Sequence, residues 1–336
     1  MTTPHRGVTR MRRIQLEYAS QTVRVQIVTH MWPTDSQPES GVFVRDQVEA
    51  LERKGGLELE VRHFRRGASS YLSAAWSLRR SSSGRQFDVV HAHYGLSGWS
   101  ALASRGRRLL VTFHGTDLRH PIVGPLSRLL ARVVSIPATV STSLARAGVP
   151  GAGDRRAVAV LPCGVDLGRF GPLDRRQARV RLGLDPERPY LLFPADPRRP
   201  VKRHDRAREL AARIPETELL TMESVPPADV PAWVNAANAV LVTSDSEGFG
   251  LAVLEALACD VPVLATPVGI APLVLSDLAG TLCAPFELES WSPLARAHVE
   301  AVDPRVPAGR ARAALFSSER MADRVLAAYE ELVEPA

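Results

Sequence analysis

The feature that most constrains the fold is the alternation of short apolar runs with longer amphipathic ones. Residues 23–30, VRVQIVTH, are typical of a buried strand, and residues 41–55 place Val44, Val48 and Leu51 on one face of a helix. This alternation continues to about residue 115 and resumes at residue 190. Continuous apolar strands separated by helices predict parallel sheets covered on both faces. We therefore expect an α/β protein with two doubly wound, Rossmann-like domains facing a central cleft.

The domain boundaries follow from length and from a break in this pattern. A chain of 336 residues exceeds the size at which one core usually stops growing. The segment between the halves is rich in Gly, Pro and charge, as expected of a hinge. We expect a flexible leader over 1–22, an N-terminal domain over 23–165 and a second domain over 166–315. A C-terminal helix over 316–336, capped by Ser317 or Ser318, is expected to pack back toward the N-terminal domain.

Composition limits the partners and the compartment. Lys and Arg number 42 against 36 acids, a balance of +6 that suits anionic ligands or an acidic membrane surface. The sequence lacks the dense basic stripe with interleaved aromatic residues that would indicate nucleic-acid binding, so we expect none. The three cysteines form no CxxC pair and suit a reducing cytosol, and the arginines near the start precede no apolar signal segment. No run is long enough for a transmembrane helix. We expect a cytoplasmic protein, and peripheral attachment at the inner face of the membrane stays open.

Several histidines lie at or near strand ends, where ligands of open α/β sheets bind. His114 ends one strand and is followed by Gly115, Thr116 and Asp117, which could equally form a turn with a helix cap. The other histidines at strand ends are His30, His91 and His93. A metal site would explain such a group, but no carboxylate has the spacing of HExxH, and strand histidines are commonly satisfied core groups. We expect no metal and no cofactor.

Two further strand ends have features suited to phosphate. Gly41 precedes the first helix, where free N–H groups and a partial positive charge favour an anion, although glycine before a helix is common. The first strand of the second half is followed by a basic loop. Its cations are Arg198, Arg199, Lys202 and Arg203. Their position past a strand end favours a phosphate clamp over an ordinary solvated loop.

The segment SEGFGLAVLEALACD, residues 246–260, combines a glycine-rich loop with an apolar helix. Glu247 lies in the loop and Glu255 lies inside the helix. A sugar at Glu247, a diphosphate at the helix start and a ribose at Glu255 would span this segment. The alternative, a helix with a polar cap, has to bear the cost of placing Glu255 among apolar residues. The absence of DxD disfavours a metal-held nucleotide sugar, and the absence of GxGxxG after the first strand disfavours NAD.

These residues resemble the retaining family-4 glycosyltransferases of the GT-B fold over roughly residues 23 to 330. The E-x7-E motif from Glu247 to Glu255 is complete, and HGTDL, LPCGVDLGRF and SGVFVRDQVEAL occur in the family's order. The chain departs from the family in its basic loop, where the arginine register, Arg198 or Arg199, is ambiguous. It also has Leu273 where an acid is often seen.

The resemblance implies roles for residues by position. The implied catalytic residues are His114 at the donor sugar, Glu247 on its hydroxyls, and Lys202 and Arg198 on the diphosphate. The implied donor-binding residues are Gly41, Val42, Phe249, Gly250, Leu251 and Glu255. We also assign Asp117, close to His114, and Arg199, the alternative phosphate arginine, to donor binding. His91, His93 and Tyr94, at the start of the segment 91–99, are assigned to the acceptor side.

The expected function is therefore retaining transfer of a hexose-type sugar from a UDP or GDP sugar to a hydroxyl. The acceptor would be a saccharide, a lipid-linked sugar or a small natural product, bound by loops at 31–40, 67–76 and 91–99. A nucleotide-sugar epimerase or hydrolase and a non-catalytic nucleotide-sugar-binding protein remain alternatives. The resemblance also makes the N-terminal domain the acceptor side and the second domain the nucleotide-sugar side.

Overall fold

The first half of the chain forms a six-stranded parallel sheet in the order β2-β1-β3-β4-β5-β6. A computed structural model describes residues 22–81, 86–148 and 158–334. The strands are β1 (Val23–Thr29), β2 (Leu57–His63), β3 (Phe87–His93), β4 (Gly106–Phe113), β5 (Ile136–Thr139) and β6 (Ala159–Val160). The helices are α1 (Val42–Lys54), α2 (Ala68–Ser81), α3 (Gly95–Ala101), α4 (Thr116–Arg119), α5 (Val123–Ala131) and α6 (Thr142–Gly148).

The second half repeats this design in a five-stranded parallel sheet, β11-β10-β9-β7-β8. The strands are β7 (Tyr190–Phe193), β8 (Glu218–Thr221), β9 (Ala239–Val242), β10 (Val263–Ala265) and β11 (Leu282–Cys283). The helices are α7 (Arg175–Arg181), α8 (His204–Ala212), α9 (Val230–Ala236), α10 (Leu251–Ala258), α11 (Ala271–Val274), α12 (Leu288–Glu300), α13 (Gly309–Ala313) and α14 (Ser318–Val333). Short 3₁₀ turns cover Pro200–Lys202 and Ala314–Phe316. The predicted α/β fold with two doubly wound sheets is confirmed.

The strand order fixes where a ligand can bind. In each sheet the chain reverses its direction of winding after the first two strands, between β1 and β3 and between β7 and β9. The loops that leave these strands diverge to opposite faces and open a crevice at the carboxyl edge. His30 and Tyr94 leave the first switch point, and residues 194–203 and 243–250 leave the second.

The C-terminal helix α14 packs against the first sheet, although it follows the second in sequence. Its apolar stripe, which includes Met321, Val325 and Tyr329, joins the core formed by β1, β3 and α1. Ser317 caps the helix by accepting a hydrogen bond from the backbone N–H of Arg320. The chain thus crosses between the halves twice. The exact domain boundaries stay a prediction, and residues 1–21 of the predicted leader lie outside the described residues.

Helix α10, which carries the second acid of the E-x7-E segment, belongs to the core of the second half. Val253, Leu254 and Leu257 are almost completely buried there. Because α10 is packed on nearly every face, its backbone is fixed in the core, and the position of Glu255 is fixed with it. In the parts of the chain that the structure describes, no helix is long and apolar enough to span a bilayer.

Candidate active site

The loops after β4 and β9 bring the two halves into direct contact. A Cβ atom on Gly248 would lie 2.1 Å from the carbonyl oxygen of His114, and one on Gly115 would lie 3.1 Å from Cα of Gly248. Glycine is needed at Gly248 for this approach. In addition, Arg119 donates a hydrogen bond of 3.2 Å to the carbonyl oxygen of Glu247. His114 and Glu247, which sequence reasoning assigned to one site, therefore border the same contact.

Three stacked histidines lie behind this contact. The rings of His91 and His93 are 4.3 Å apart, and those of His93 and His114 are 5.4 Å apart. Burial, together with the neighbouring rings, lowers the pKa of His91 to about 3. The same causes hold the pKa of His93 and of His114 well below the ordinary value. All three rings are therefore neutral at neutral pH and can accept a hydrogen bond.

The histidines differ in how their nitrogens are used. His91 is fully buried, with Nδ1 at 2.8 Å from the Tyr329 hydroxyl and Nε2 at 2.8 Å from Thr112 Oγ1. Both ring nitrogens of His91 already have hydrogen-bond partners, so none is left for an acceptor substrate. His91 therefore fits the alternative of a satisfied core histidine. His93 Nδ1 lies 3.2 Å from His114 Nε2, while His93 Nε2 is buried without a partner among the described residues. His93 thus orients His114 from behind.

Asp117 holds the loop that carries His114. Its carboxylate accepts hydrogen bonds from the backbone N–H groups of His114 at 3.0 Å, Gly115 at 2.8 Å and Gly95 at 3.1 Å. Burial raises the pKa of Asp117 to about 6, and these backbone donors oppose the rise. The side chain is completely buried. The predicted donor-binding role of Asp117 is therefore best described as positioning: it fixes the loop and the start of α3.

The start of α1 faces the same histidine. Gly41 has a left-handed backbone with φ 68°, and a Cβ atom there would lie 2.2 Å from the carbonyl carbon of Met31. Only glycine lets the chain turn so closely past residue 31. Val42 begins the helix, and the ring of Phe43 lies 5.0 Å from the ring of His114. The helix start that was predicted to face a phosphate thus adjoins His114.

An aromatic group occupies the carboxyl edge beyond β1 and β3. The ring of His30 meets the rings of Tyr94 at 4.7 Å and Tyr71 at 5.7 Å, edge to face in both cases. Tyr94 has a φ of 84°, a strained conformation for a non-glycine residue that is common at functional sites. Burial, and secondarily the charge of Arg66, lowers the pKa of His30 to about 4. Arg66 was missed from the sequence, although it closely follows the carboxyl end of β2.

On the opposite side, Lys202 and Glu247 form an ion pair that little solvent reaches. Lys202 Nζ lies 2.6 Å and 2.7 Å from the two carboxylate oxygens of Glu247, and Ser244 Oγ donates to Oε1 at 2.7 Å. The side chains are only 16% and 11% exposed. The basic loop and the E-x7-E loop were predicted to act together, and this pair joins them.

The other cations of the basic loop are arranged differently. The Arg198 guanidinium bonds to Asp196 in a tight turn and reaches Glu223 at 3.1 Å, at the outer rim of the sheet. Arg203 pairs with Asp205 and Asp245. Arg199 is exposed, and its side chain has no hydrogen bond or ion pair with the described residues. The structure does not bring Arg198 to Glu247, because two acids beside it already bind its guanidinium.

The N-terminus of α10 provides backbone donors next to Glu247. Gly250 precedes the helix with a left-handed backbone, φ 94°, and this turn connects the loop to the first residue of the helix. Gly269 lies so close that a Cβ atom would be 2.2 Å from the carbonyl oxygen of Phe249, and Ile270 N–H donates to that oxygen at 2.7 Å. Phe249 is buried, so it can contribute only its backbone. The first amides of α10, beginning with Leu251, are unbonded within the helix and suit an anion.

Glu255 lies one turn further along α10, partly exposed, near a second ion pair. Arg169 donates to Asp46 on α1, with Nη1 at 3.1 Å from Oδ1. Burial raises the pKa of Glu255 to about 7, Asp46 raises it further, and Arg169 opposes the rise. Sequence reasoning missed Asp46 and Arg169, although Asp46 is one turn into α1 and Arg169 lies within the quoted segment LPCGVDLGRF.

The arrangement suits stabilisation of a departing anion. Lys202 and the start of α10 supply positive charge from the second half of the chain, and His114 supplies a neutral ring from the first half. Such fixed charges can stabilise developing negative charge in a transition state. Among the described residues, no group of three His, Cys, Asp or Glu side chains is placed to hold a metal ion.

Comparison with protein families gives two consecutive matches. Residues 7–169 match the model of glycosyltransferase family 4, and residues 203–297 match that of the glycosyl transferases group 1. The two matches fall on the two halves of the chain. Between them they include His114, Glu247 and Glu255, and Lys202 immediately precedes the second match.

Curated relatives carry one recurring name. A D-inositol 3-phosphate glycosyltransferase of Actinosynnema mirum is 32% identical, with 72% of this chain and 72% of the relative covered. A protein of the same name from Segniliparus rotundus is 31% identical over 72% of this chain and 65% of its own length. The chain thus spans slightly less than two thirds of the latter.

Solved structures share the fold at low identity. Sucrose-phosphate synthase from Thermosynechococcus elongatus has a TM-score of 0.70 at 18% identity, covering 93% of this chain and 99% of that one. The Anabaena protein HepE, solved in complex with UDP and glucose, has a TM-score of 0.67 at 14% identity, covering 93% and 100%.

Proposed function

The chain belongs to the family-4 glycosyltransferases of the GT-B fold, and from that premise we propose that it moves a hexose-type sugar from a nucleoside-diphosphate sugar to an acceptor hydroxyl. The observation that carries the proposal is the Lys202–Glu247 ion pair beside the start of α10, across from His114. On sugar binding, Glu247 accepts hydrogen bonds from hydroxyls, and Lys202 turns toward the diphosphate. Glu255 accepts from the ribose.

The donor base is proposed to be uracil, with guanine as the alternative. Support comes from the solved neighbour HepE, whose structures hold UDP and UDP-glucose. Lys202 and the amides of α10 would then neutralise the leaving UDP without a metal ion. We propose transfer with retention of configuration at the anomeric carbon, because the complete E-x7-E segment resembles that of the retaining enzymes.

The acceptor is proposed to bind the first half of the chain, at the aromatic group of His30, Tyr71 and Tyr94. Relatives are named for an inositol phosphate, a polyol that carries a phosphate. Arg66, at the edge of this group, has the charge to pair with such a phosphate. A phosphorylated polyol or a phosphorylated saccharide is therefore the proposed acceptor class. On this proposal residues 23–165 form the acceptor domain and residues 166–315 the donor domain.

We also propose that the protein acts in the cytoplasm. All three cysteines are free thiols, as is usual in a reducing cytoplasm where activated sugars are made.

Release of nucleoside diphosphate tests the proposal. We would incubate the protein with a panel of UDP and GDP sugars, with and without inositol phosphates and other phosphorylated polyols, and measure the diphosphate and the product by mass spectrometry. The proposal predicts release that depends on an acceptor, and a product whose anomeric configuration, read by NMR, matches the donor. Equal release without any acceptor would indicate a hydrolase. Donor consumption without release would indicate an epimerase, and no turnover with any donor would indicate a binding protein.

A further inference from the structure

Helix α5 is amphipathic in an unusual sense, because it buries its small side chains and exposes its large ones. Gly124, Ser127 and Ala131 face the core, together with Leu130. The opposite face exposes Ile122, Leu126, Leu129 and Val133 at helical spacing, with exposed fractions of 72%, 42%, 49% and 60%. An apolar stripe of this size turned toward water marks an interaction surface.

Two neighbouring helices extend the apolar surface. Helix α3 packs against both α2 and α5, and the Trp99 indole N–H donates to the carbonyl oxygen of Leu126 at 3.2 Å. On α2, Leu72 and Trp76 are 75% and 58% exposed, and Leu102 follows α3. Of the fourteen large apolar side chains exposed in the described residues, seven lie on these helices or beside their ends. We call this surface, from α2 across α3 to α5, the α2–α5 face.

The same part of the chain is strongly basic. Residues 64–148 contain twelve arginines, no lysine and two acids, a formal charge of +10, whereas the whole chain carries +6. The rest of the chain therefore sums to −4. Both acids have hydrogen-bond partners: Asp88, which is half-buried, accepts from the backbone N–H of Arg24, and Asp117 is buried in its loop. On α2, the Arg80 guanidinium lies 3.6 Å above the ring of Trp76.

We propose that the α2–α5 face docks the protein on an anionic lipid bilayer. Exposed aliphatic side chains and a tryptophan flanked by arginines match the chemistry of the lipid headgroup region, where apolar groups insert and cations meet phosphates. Single-stranded nucleic acid would require several exposed aromatic rings for stacking, and Trp76 is the only large one exposed on the face as described. A nucleic-acid duplex would pair with the arginines but leave the exposed aliphatic side chains in water. The aliphatic side chains together with the arginines therefore select an anionic membrane.

The location of the face gives docking a consequence for the proposed reaction. Tyr71 of the aromatic group lies on α2 directly before exposed Leu72, and α4, which follows the His114 loop, leads into α5. A bilayer bound at the α2–α5 face would lie beside the acceptor loops, so the phosphorylated polyol or saccharide proposed as acceptor would be carried as the head of a membrane lipid. This step rests on the proposed function, whereas membrane docking does not.

Vesicle sedimentation tests the docking without any substrate. We would measure the fraction of protein bound to vesicles of phosphatidylglycerol and phosphatidylcholine, and to vesicles of phosphatidylcholine alone. The expected result is binding to the anionic vesicles that decreases with added salt. The paired variant Ile122→Ser/Leu129→Ser should bind about tenfold more weakly. The matched control Val180→Ser/Val302→Ser, which replaces exposed apolar residues of the second half, should bind like the parent.

Four results would overturn the proposal. The first is that the parent does not bind anionic vesicles. The second is that Ile122→Ser/Leu129→Ser binds them as tightly as the control Val180→Ser/Val302→Ser. The third is that single-stranded DNA displaces the parent and Ile122→Ser/Leu129→Ser from the vesicles to the same extent. The fourth is a parent dimer, seen by analytical ultracentrifugation, that the variant at 122 and 129 dissolves, since the face would then bind a second copy. Thermal melting of each variant checks its fold. Because the vesicle assay contains neither donor nor acceptor, failure of docking is visible independently of any failure of the proposed function.

Discussion

Lys202 and Glu247 pair with each other, and this ion pair holds both side chains in place within the site. Each would be costly to bury alone, and the ion pair with support from Ser244 offsets that cost. Both charges are thereby held at one place near the start of α10. A ligand that offers hydroxyls to Glu247 and phosphate to Lys202 can exchange this internal pair for two matched partners.

Replacing Lys202 by Ala is expected to lower kcat about 100-fold, because a fixed charge on the leaving diphosphate acts mainly in the transition state. The variant should keep its circular dichroism spectrum. Arg188→Ala is the matched control, since Arg188 is an exposed cation paired with Glu218 far from the loop. Turnover in the Lys202 variant equal to that of the control would remove Lys202 from the mechanism.

Glu255 gives a prediction about pH. Its pKa is raised to about 7, so near neutral pH the group is only partly ionised. Ribose hydroxyls donate to the ionised form, and we therefore expect UDP to bind more tightly as pH rises through about 7. In Glu255→Gln this part of the pH dependence should vanish, while the ionisation of UDP itself affects both proteins equally. Calorimetry at several pH values compares them, and parallel curves would contradict the role.

Individual site residues were predictable to different degrees. Glu247, Lys202 and Glu255 are acids or bases at a strand end or within an apolar helix, and the sequence itself shows such misfits. Asp46 and Arg169 were not predictable, because each looks like an ordinary charged residue of an amphipathic segment, and only the fold brings them together. Arg198 was assigned to the site from its position, yet its local turn binds it to Asp196.

At the element scale the strands and most long helices follow the sequence pattern closely. Buried parallel strands are continuous apolar runs, so β1, β3, β7 and β9 stand out, and Ser317 marks the start of α14. Short elements such as α6 and β6 were missed, whereas a helix cap at Thr116, where α4 begins, was one of the two interpretations of that segment. Elements of so few residues have too little periodicity to be recognised, and their conformation is set by the loops they join.

The contact between two loops gives an element-scale prediction. Gly248→Ala would place a Cβ atom 2.1 Å from the carbonyl oxygen of His114, so the loops after β4 and β9 have to separate. We expect kcat to fall at least about tenfold, since small misplacement of reacting groups is costly. Gly183→Ala is the control: its φ of 70° strains an alanine backbone, but the added Cβ atom meets no neighbour within 4 Å. Comparable loss of activity in both would show that steric contact at Gly248 is unimportant.

On the scale of the whole molecule, the two halves are joined by α14, by the loop contact and by the Asp46–Arg169 ion pair. The last of these lies beside Glu255 and connects α1 of the first half to the segment that opens the second. The sequence predicted two sheets and a cleft from the repeat of one pattern. The sequence could not predict the α2–α5 face as a surface, because only the packing of α2, α3 and α5 shows which exposed apolar side chains lie on one face.

Asp46→Asn tests this connection between the halves. Removing the carboxylate takes away a negative charge that raises the pKa of Glu255, and it frees Arg169 to stabilise the ionised form. The midpoint of the pH dependence of UDP binding should therefore shift to lower pH. The control Asp323→Asn removes an exposed acid that pairs with Lys54 and should leave the midpoint unchanged. A midpoint that stays in place in Asp46→Asn would contradict the coupling.

The central claim is that the cleft binds a nucleoside diphosphate through Lys202 and the start of α10. Isothermal titration calorimetry with UDP and GDP tests it most directly. The account predicts saturable binding of one molecule per chain with preference for UDP, weakened at least about tenfold in Lys202→Ala and unchanged in Arg188→Ala. Binding of neither nucleotide, or equal affinity in Lys202→Ala and the unaltered protein, would contradict it.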